Sequence, residues 1–536
     1  MHNIAEFVDS YRRNIMITEA NPTGTNDDSN AVWRASFYSS NSQVPDELYS
    51  KAKQLKSIFF FNTVELKEGK LDGILKKIFK NFKKLCLLDL RNLGIKDVSS
   101  SIGDLKDLEY LDLSENKMKK LPSSIANLSK LHTLKLFECP SLKELPKDFK
   151  NLGKLKHLDM EGCRGLTGMP PDMSKLSSLQ TLSALVCFKG PSLPGDWLTS
   201  FKSLVKLSLK ECLGCEFKYL SKQDDQLPNL KILELVKLNN LEYITEECNK
   251  EAAFYKSLEE MTIKDCDKLK SWWKNETEVS PKPSFAKISK LHICRCPLLQ
   301  TIPLYPHLHE VMVLHDRTLK LLRLNTKSIP LKNLRIQYCN DLTNLSGVFK
   351  HLSSLQCLTI ENCDTISLDG ERNAWEGLKS LSFLKLKGFE KLSSLSFGNG
   401  ITTLKELTLK NCLELTSISD IGTLTSLQEL TLRSCGGLTS ISDIGTLTSL
   451  KELTLENCPK LTSISDSKGQ VTSLRSLEIS KCNQLKSLPE TIFKSLQTLR
   501  ILDCKLLQPM FVKDTGDYWS LIGDIIDLQV KTTLLG

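Results

Sequence analysis

Two groupings of soft side chains are the first candidates for chemistry. Cys212 and Cys215 form a C-x-x-C, and Cys294 and Cys296 lie upstream of His307 and His309. A zinc site needs four such ligands at defined spacing. Cys212 and Cys215 have no second pair at that spacing. His307 and His309 flank Leu308 beside Pro306, and Cys296 belongs to a periodic set described below. Both groupings read as structural, and no metal is assigned. The chain carries no G-x-x-x-x-G-K-[ST], no G-x-G-x-x-G opening a helix, no H-E-x-x-H and no G-x-S-x-G. Its Asp and Glu residues recur at solvent-facing positions, so no catalytic carboxylate pair can be nominated. The reading is of a non-enzyme without cofactors.

The elements that would carry any site follow one pattern, L-x-x-L-x-L. It appears as Leu108, Leu111, Leu113, then Leu131, Leu134, Leu136, then Leu155, Leu158, Met160. It continues through Leu204, Leu207, Leu209 and Leu258, Met261, Ile263, and from Leu404 to Ile501 it recurs in five further copies. The spacing falls in the 20–29 residues of leucine-rich repeats. Two neighbouring copies, LTSISDIGTLTSLQELTLRSC and LTSISDIGTLTSLKELTLENC, are nearly identical. Counting from Leu55 gives about nineteen repeats by this template.

In L-x-L the two leucines share one face of a short strand. One repeat cannot bury that face alone, but stacked repeats make a continuous core. The expected fold is an α/β leucine-rich-repeat solenoid (a horseshoe) with a parallel sheet on its concave side. At about 4.8 Å per strand, nineteen strands span about 90 Å. The connectors LPSSIANLSKL and LPKDFKNLGKL set Pro ahead of spaced apolar residues, which suits short irregular helices on the convex side. Val32–Tyr38 is expected to add a strand before Leu55, and the segment from Trp272 to Phe285 reads as a loop or insertion.

Twelve of the eighteen cysteines fall three residues after the last strand leucine: Cys139, Cys163, Cys212, Cys266, Cys296, Cys339, Cys363, Cys412, Cys435, Cys458, Cys482 and Cys504. Asn116 fills that position once. A small thiol fits a tight buried turn, so the series reads as a structural ladder rather than a disulfide framework. So many reduced thiols fit a reducing compartment.

The formal net charge of +9 is spread through mixed charges without a run of like sign, which gives no concentrated basic face for nucleic acid. No apolar stretch approaches the length of a membrane span. Residues 1–13 lack a signal-peptide core, so the sequons at Asn127, Asn275 and Asn344 read as chance matches in a cytoplasmic protein.

The LPxxIxxLxxL connector, the C-P-x-L and C-x-x-L turns at Cys458 and Cys139, and both termini resemble plant intracellular immune receptors of the nucleotide-binding, leucine-rich-repeat type. The tail from Cys504 to Val530, with Gly516, Asp517, Trp519, Ile522 and Ile525, looks like that family's C-terminal cap. The start, MHNIAEFV, is similar to the Met-His-Asp segment that closes the family's nucleotide-binding region, with Asn3 in place of Asp. The resemblance implies a nucleotide-sensing role for His2 only where a nucleotide-binding domain lies upstream. It divides the chain into a remnant of a winged-helix/nucleotide-binding domain (1–45), the solenoid (46–505) and a cap (506–536). It also implies defence against pathogens, with the concave face holding a pathogen effector or a guarded host protein. A nucleotide-binding domain is a further implied partner. A substrate-presenting adaptor of a signalling or ubiquitin-ligase complex and an extracellular ectodomain stand as alternatives.

The third, fifth, seventh and eighth positions of the repeat face the concave side. Large exposed residues expected there are Tyr110, Phe137, Met312, Tyr338 and Phe383, types that favour interfaces. Lys206, Lys210, Lys264, Arg295, Arg335 and Lys385 lie beside them as candidates to meet an acidic partner. The columns Glu406, Glu429, Glu452 and Thr408, Thr431, Thr454 read as a solvated surface left by duplication.

Overall fold

A computed structural model describes residues 34–37, 53–60, 70–170, 172–184, 200–211, 218–221, 227–245, 256–274, 285–300, 305–313, 330–339, 349–364, 368, 375–465, 469 and 471–531. The chain divides into two compact units, Met1–Pro283 and Ser284–Gly536. Each is a parallel β-solenoid in which the repeats contribute one strand apiece to the main sheet.

In the first unit ten strands pair in sequence order, all parallel: Arg34–Phe37, Ser57–Phe60, Leu87–Asp89, Tyr110–Asp112, Thr133–Lys135, His157–Met160, Thr181–Ala184, Lys206–Lys210, Ile232–Val236 and Glu260–Lys264. In the second, eleven do so: Lys290–Cys294, Glu310–Val313, Asn333–Gln337, Cys357–Glu361, Phe383–Lys387, Glu406–Lys410, Glu429–Arg433, Glu452–Glu456, Ser476–Ser480, Thr498–Leu502 and Asp527–Lys531. The strand expected within Val32–Tyr38 is present as Arg34–Phe37, with Ala35 opposite Ile58. Register is uniform: the strand leucines sit in line from repeat to repeat, as Leu407, Leu430 and Leu453 do. These three are almost fully buried. Burying such a side chain is worth about 1.5–3 kcal/mol, and the solenoid collects it once per layer.

Position eight of the repeat carries a feature that residue types alone do not announce. Wherever it is described it has positive φ: at Asn92, Glu115, Glu138, Gly162, Glu211, Lys237, Asp265, Arg295, Tyr338, Asn362, Gly388, Asn411, Ser434, Asn457, Lys481 and Asp503. Half of these are Asn, Asp or Gly, the residues that tolerate the left-handed region best. The N–H freed by this turn continues the sheet. Glu115 donates to the carbonyl of Phe137 at 2.7 Å, Asn362 to that of Lys387 at 2.7 Å, and Lys481 to that of Leu502 at 2.9 Å.

The next residue points inward and is the ladder position. Asn116, almost fully buried, donates through Nδ2 to the carbonyls of Leu90, Leu113 and Ser114, while its Oδ1 accepts from the N–H groups of Leu93 and Ile95. A thiol makes a thinner version of the same bridge. Cys139 Sγ reaches the Leu113 carbonyl of the preceding repeat at 3.2 Å and Cys163 Sγ that of Leu136 at 3.0 Å. Cys435, Cys458, Cys482 and Cys504 repeat the contact at 3.8–3.9 Å. The described cysteines form no disulfide with one another. Burial pushes the Cys504 thiol up, which keeps it protonated and able to donate. Cys212 and Cys215 lie outside the described residues.

The convex side carries the expected short helical turns, joined by short second strands. Short 3₁₀ turns do follow the proline connectors, at Ser123–Asn127 and Lys147–Asn151, with Pro122 and Pro146 immediately ahead of them and Ile125 and Phe149 buried. Some repeats add short second strands, two of which are followed by 3₁₀ turns at Ile421–Thr423 and Ile444–Thr446. Tyr219–Ser221, Tyr243–Thr245 and Ser271–Trp273 pair in parallel, as do Ser394–Ser396 with Ser417–Ser419 and Ser440–Ile441 with Ser463–Ile464. The Ser-Ile-Ser alternation has a period of two, which suits a strand and not a helix. Trp272 and Trp273 therefore belong to a buried strand, not to a loop. Residues 275–284 lie outside the described residues.

At the tail, Tyr518 forms the anchor. Its hydroxyl donates to the Leu488 carbonyl and accepts from the Leu488 N–H, both at 2.8 Å, and its ring packs on Phe493 and Phe511. Trp519, which the family resemblance singles out, is instead exposed.

The turn bridge makes a measurable prediction. Asn116→Ala strands the buried N–H groups of Leu93 and Ile95 and the Leu90 carbonyl, and should cost about 3–5 kcal/mol. Asn116→Cys restores one bridge and should cost less. Hydrogen exchange across residues 90–118 reads the order; equal loss in both variants contradicts the bridging role.

Candidate protein-binding face

The side chains available to a partner are those at positions three, five and seven of each strand, plus the left-handed residue at eight. The two units build different surfaces from them.

On the first unit, Phe59, Leu87 and Tyr110 form an apolar cluster on adjacent strands. Tyr110 was expected to be exposed but is only 5% so. Its ring is closed in by Phe59 and Leu87, its hydroxyl donates to Asp112 at 3.2 Å, and the Lys135 ammonium lies 5.6 Å above it. Asp89, paired with Arg91 at 2.7 Å, is held above the usual carboxylate range by its burial. Burial also pushes His157 down to about 4, so its ring is neutral at pH 7 and shares a hydrogen bond with Thr181. Phe137 is exposed as expected. Lys206 and Lys210 are not free cations: Lys206 pairs with Glu234 at 2.7 Å, and Lys210 bridges Glu161 at 2.9 Å and Glu234 at 3.7 Å. Stacking in register brings Glu234 to Lys206 and Lys210 on the neighbouring strand, and Glu161 to Lys210 from two repeats away, which sequence spacing alone does not display. Lys264 is half-buried.

On the second unit the structure brings several candidates together. Met312, Arg335, Thr359 and Lys385 stand in line on consecutive strands, with Phe383 one column away. Met312, Phe383 and Lys385 are half-buried, while Tyr338 is 59% exposed. Arg295, exposed, holds the same left-handed position in an earlier repeat.

Arg335 and Lys385 converge on Glu361, a residue that sequence reasoning did not single out. Its side chain is only 5% exposed; it accepts from Arg335 at 2.9 Å and from Gln337, and pairs with Lys385 at 3.2 Å. Burial alone would raise this carboxyl. The hydrogen bonds from Arg335, Lys385 and Gln337 outweigh it and hold the group at about 2. The signal was available: an acid at position seven, with basic residues at position five on both neighbouring strands.

Beyond this cluster the face changes sign. Lys387 and Lys410 occupy position seven without an ionic partner among the described residues, and Arg433 follows, paired with Glu456 at 3.3 Å. At position three stand Glu406, Glu429 and Glu452, directly opposite one another and also without an ionic partner. Burial, then the charges of Glu406 and Glu452, raise the Glu429 carboxyl. The threonine column separates the two.

His307 is exposed while Cys294 and Cys296 are buried, so this grouping does not converge. No His/Cys/Asp/Glu group among the described residues is arranged to hold a metal. None of the described helices is long and apolar enough to cross a membrane. His2 lies outside the described residues.

The Glu361 cluster ties stability to pH. Its carboxyl is depressed from 4.5 to about 2 on folding, worth about 3 kcal/mol. That contribution is complete above pH 4.5 and is lost as pH falls toward 2. Glu361→Gln should therefore destabilise strongly at pH 7 and little at pH 2. Denaturant melts of both proteins at the two values test this, and a pH-independent difference refutes it.

Two leucine-rich-repeat family models match parts of the chain. A family model described as plant disease resistance protein RPS2-like leucine-rich repeats matches residues 367–512, and one described as Zer-1-like leucine-rich repeats matches residues 99–189. No curated protein matches the chain significantly. Among solved structures, a leucine-rich-repeat protein of Leptospira interrogans is 19% identical, covering 92% of this chain and 93% of that one, with a TM-score of 0.36. The functional domain of InlJ from Listeria monocytogenes, described as including a cysteine ladder, is 17% identical over 75% of each chain, with a TM-score of 0.35. TLR13, solved in complex with ssRNA13, is 17% identical over 89% of this chain and 81% of that one, with a TM-score of 0.42. The chain carries leucine-rich repeats of the kinds that two repeat families describe.

Proposed function

We propose that this chain is a non-enzymatic, cytoplasmic protein-binding scaffold of plant innate immunity. In this reading the sheet face of its second unit engages a pathogen effector or a guarded host protein. The observation that carries the reading is Tyr338. A glycine would relieve its backbone, yet a bulky aromatic ring stands there at φ 52 with most of its surface in solvent. Exposed aromatics beside arginine are the residue types that dominate binding energy at interfaces. The salt-bridged Glu361 holds Arg335 in place while leaving its guanidinium half exposed. Around Tyr338, the cations Arg335, Lys385 and Lys387 favour an acidic surface on the partner, and the Glu406–Glu429–Glu452 column favours a basic one beyond it. The defence role is supported by the family resemblance of the connectors and tail, and by the match of residues 367–512 to plant disease-resistance repeats.

Binding and folding respond oppositely at this residue. Tyr338→Gly relieves the left-handed strain and should leave the chain as stable as before or about 1 kcal/mol more stable. The same change should remove the protein captured by the full-length chain from infected plant tissue, as should Arg335→Glu. Unchanged capture by both variants refutes the binding face. Capture of only constitutive proteins, none secreted by or targeted by a pathogen, refutes the immune role.

A further inference from the structure

The last strand of the second unit, Asp527–Lys531, is paired on one side only among the described residues. Leu528 and Val530 continue the core columns of Leu499 and Ile501, which are fully buried. Leu528, however, is 39% exposed, and Ile526 just before it is 84% exposed. Trp519 and Leu521 add exposed apolar surface from the preceding turn. An unprotected strand edge backed by apolar side chains is a template for another strand.

We propose that this edge pairs antiparallel with the same strand of a second copy of the chain, giving a two-fold symmetric dimer. The backbone supports the pairing. Asp527 N–H donates to the Gln497 carbonyl and the Lys531 carbonyl accepts from Asp503 N–H, so residues 527, 529 and 531 bond inward. By the alternation of a parallel ladder, Leu528 and Val530 present their N–H and C=O groups outward. A dyad through Gln529 sets Leu528 of each copy against Val530 of the other in the hydrogen-bonded positions. It also continues both apolar faces on the same side of the joined sheet.

Charge selects this register. The same dyad sets each Asp527 opposite the other copy's Lys531, so both ends of a five-residue strand are matched by opposite charge. Asp527 is already held by Arg500 at 2.9 Å, which fixes its carboxylate, whereas Lys531 has no ionic partner among the described residues. A parallel or shifted pairing loses these matches. One strand and its apolar flank make a small interface, so the dimer forms in the micromolar range and above.

The test uses the full chain. Sedimentation across a concentration series should show a monomer–dimer equilibrium. Lys531→Glu should weaken it at least tenfold, whereas Lys531→Arg, which keeps the charge, should leave it unchanged. Gln529→Cys sets two thiols across the dyad in a close, non-hydrogen-bonded pair. It should cross-link into a covalent dimer on mild oxidation, while the parent chain does not. A chain that stays monomeric and does not cross-link at position 529 overturns the proposal. A dimer indifferent to Lys531→Glu joins through another surface and overturns it equally.

Discussion

Each repeat whose eighth position is described leaves the sheet through one residue at positive φ; in most of them its N–H crosses to a carbonyl of the next repeat and its successor turns inward. These two steps let a strand of three to five residues stack without leaving buried polar groups unpaired. Without the left-handed step, position nine would lie on the sheet and the ladder of Asn116 and the cysteines could not reach the core. Without the ladder, the carbonyls of Leu90 or Leu113 would be buried with no donor. Leucine burial supplies the drive to stack. The turn decides that stacking occurs in one register.

Such rigid register has a consequence for the face. Equivalent side chains fall opposite one another at about strand spacing, so the identity of each column is a choice between repulsion and pairing. Where the columns mix signs, the molecule pairs them internally, as Lys206 and Lys210 do with Glu234 and Glu161. Where a column repeats one residue, as in Glu406, Glu429 and Glu452, the charges face one another unrelieved, which disfavours the fold slightly. Chemistry offered to a partner therefore concentrates where internal pairing is incomplete. On the second unit it runs from Tyr338 through Lys387 to the glutamates.

The periodic part of this molecule could be read from residue order because leucine spacing is set by the fold's own geometry. The strands from Leu108 to Ile501, the inward thiols and the extra strand at Arg34–Phe37 all follow from it. Exposure on the face could not be read in the same way. Whether Tyr110 is buried depends on Phe59 and Leu87, far apart in sequence and joined only by register. Glu361 looked like one more surface acid until Arg335 and Lys385 were placed on either side. Trp272 and Trp273 looked like loop residues because a strand of three is too short to show a period. In each case the missing information was the lateral neighbour, which repeat phase supplies only once the strands are aligned.

Lateral neighbours also explain why the interior repeats and the tail obey different rules. A leucine at position four is covered by the layers before and after it, so Leu499 is fully buried while Leu528, in the same column, is not. Tyr518 closes the core from below by bonding both backbone groups of Leu488, but it lies on the turn and not along the strand. The tail thus seals the core against water at one side while leaving the sheet able to continue. A sheet edge is normally blunted by charge, proline or a bulge. This one carries Asp527 and Lys531 at its two ends and Leu528, Gln529 and Val530 between. That pattern discourages arbitrary strands, which would bring like charges together, while it remains complementary to its own reverse.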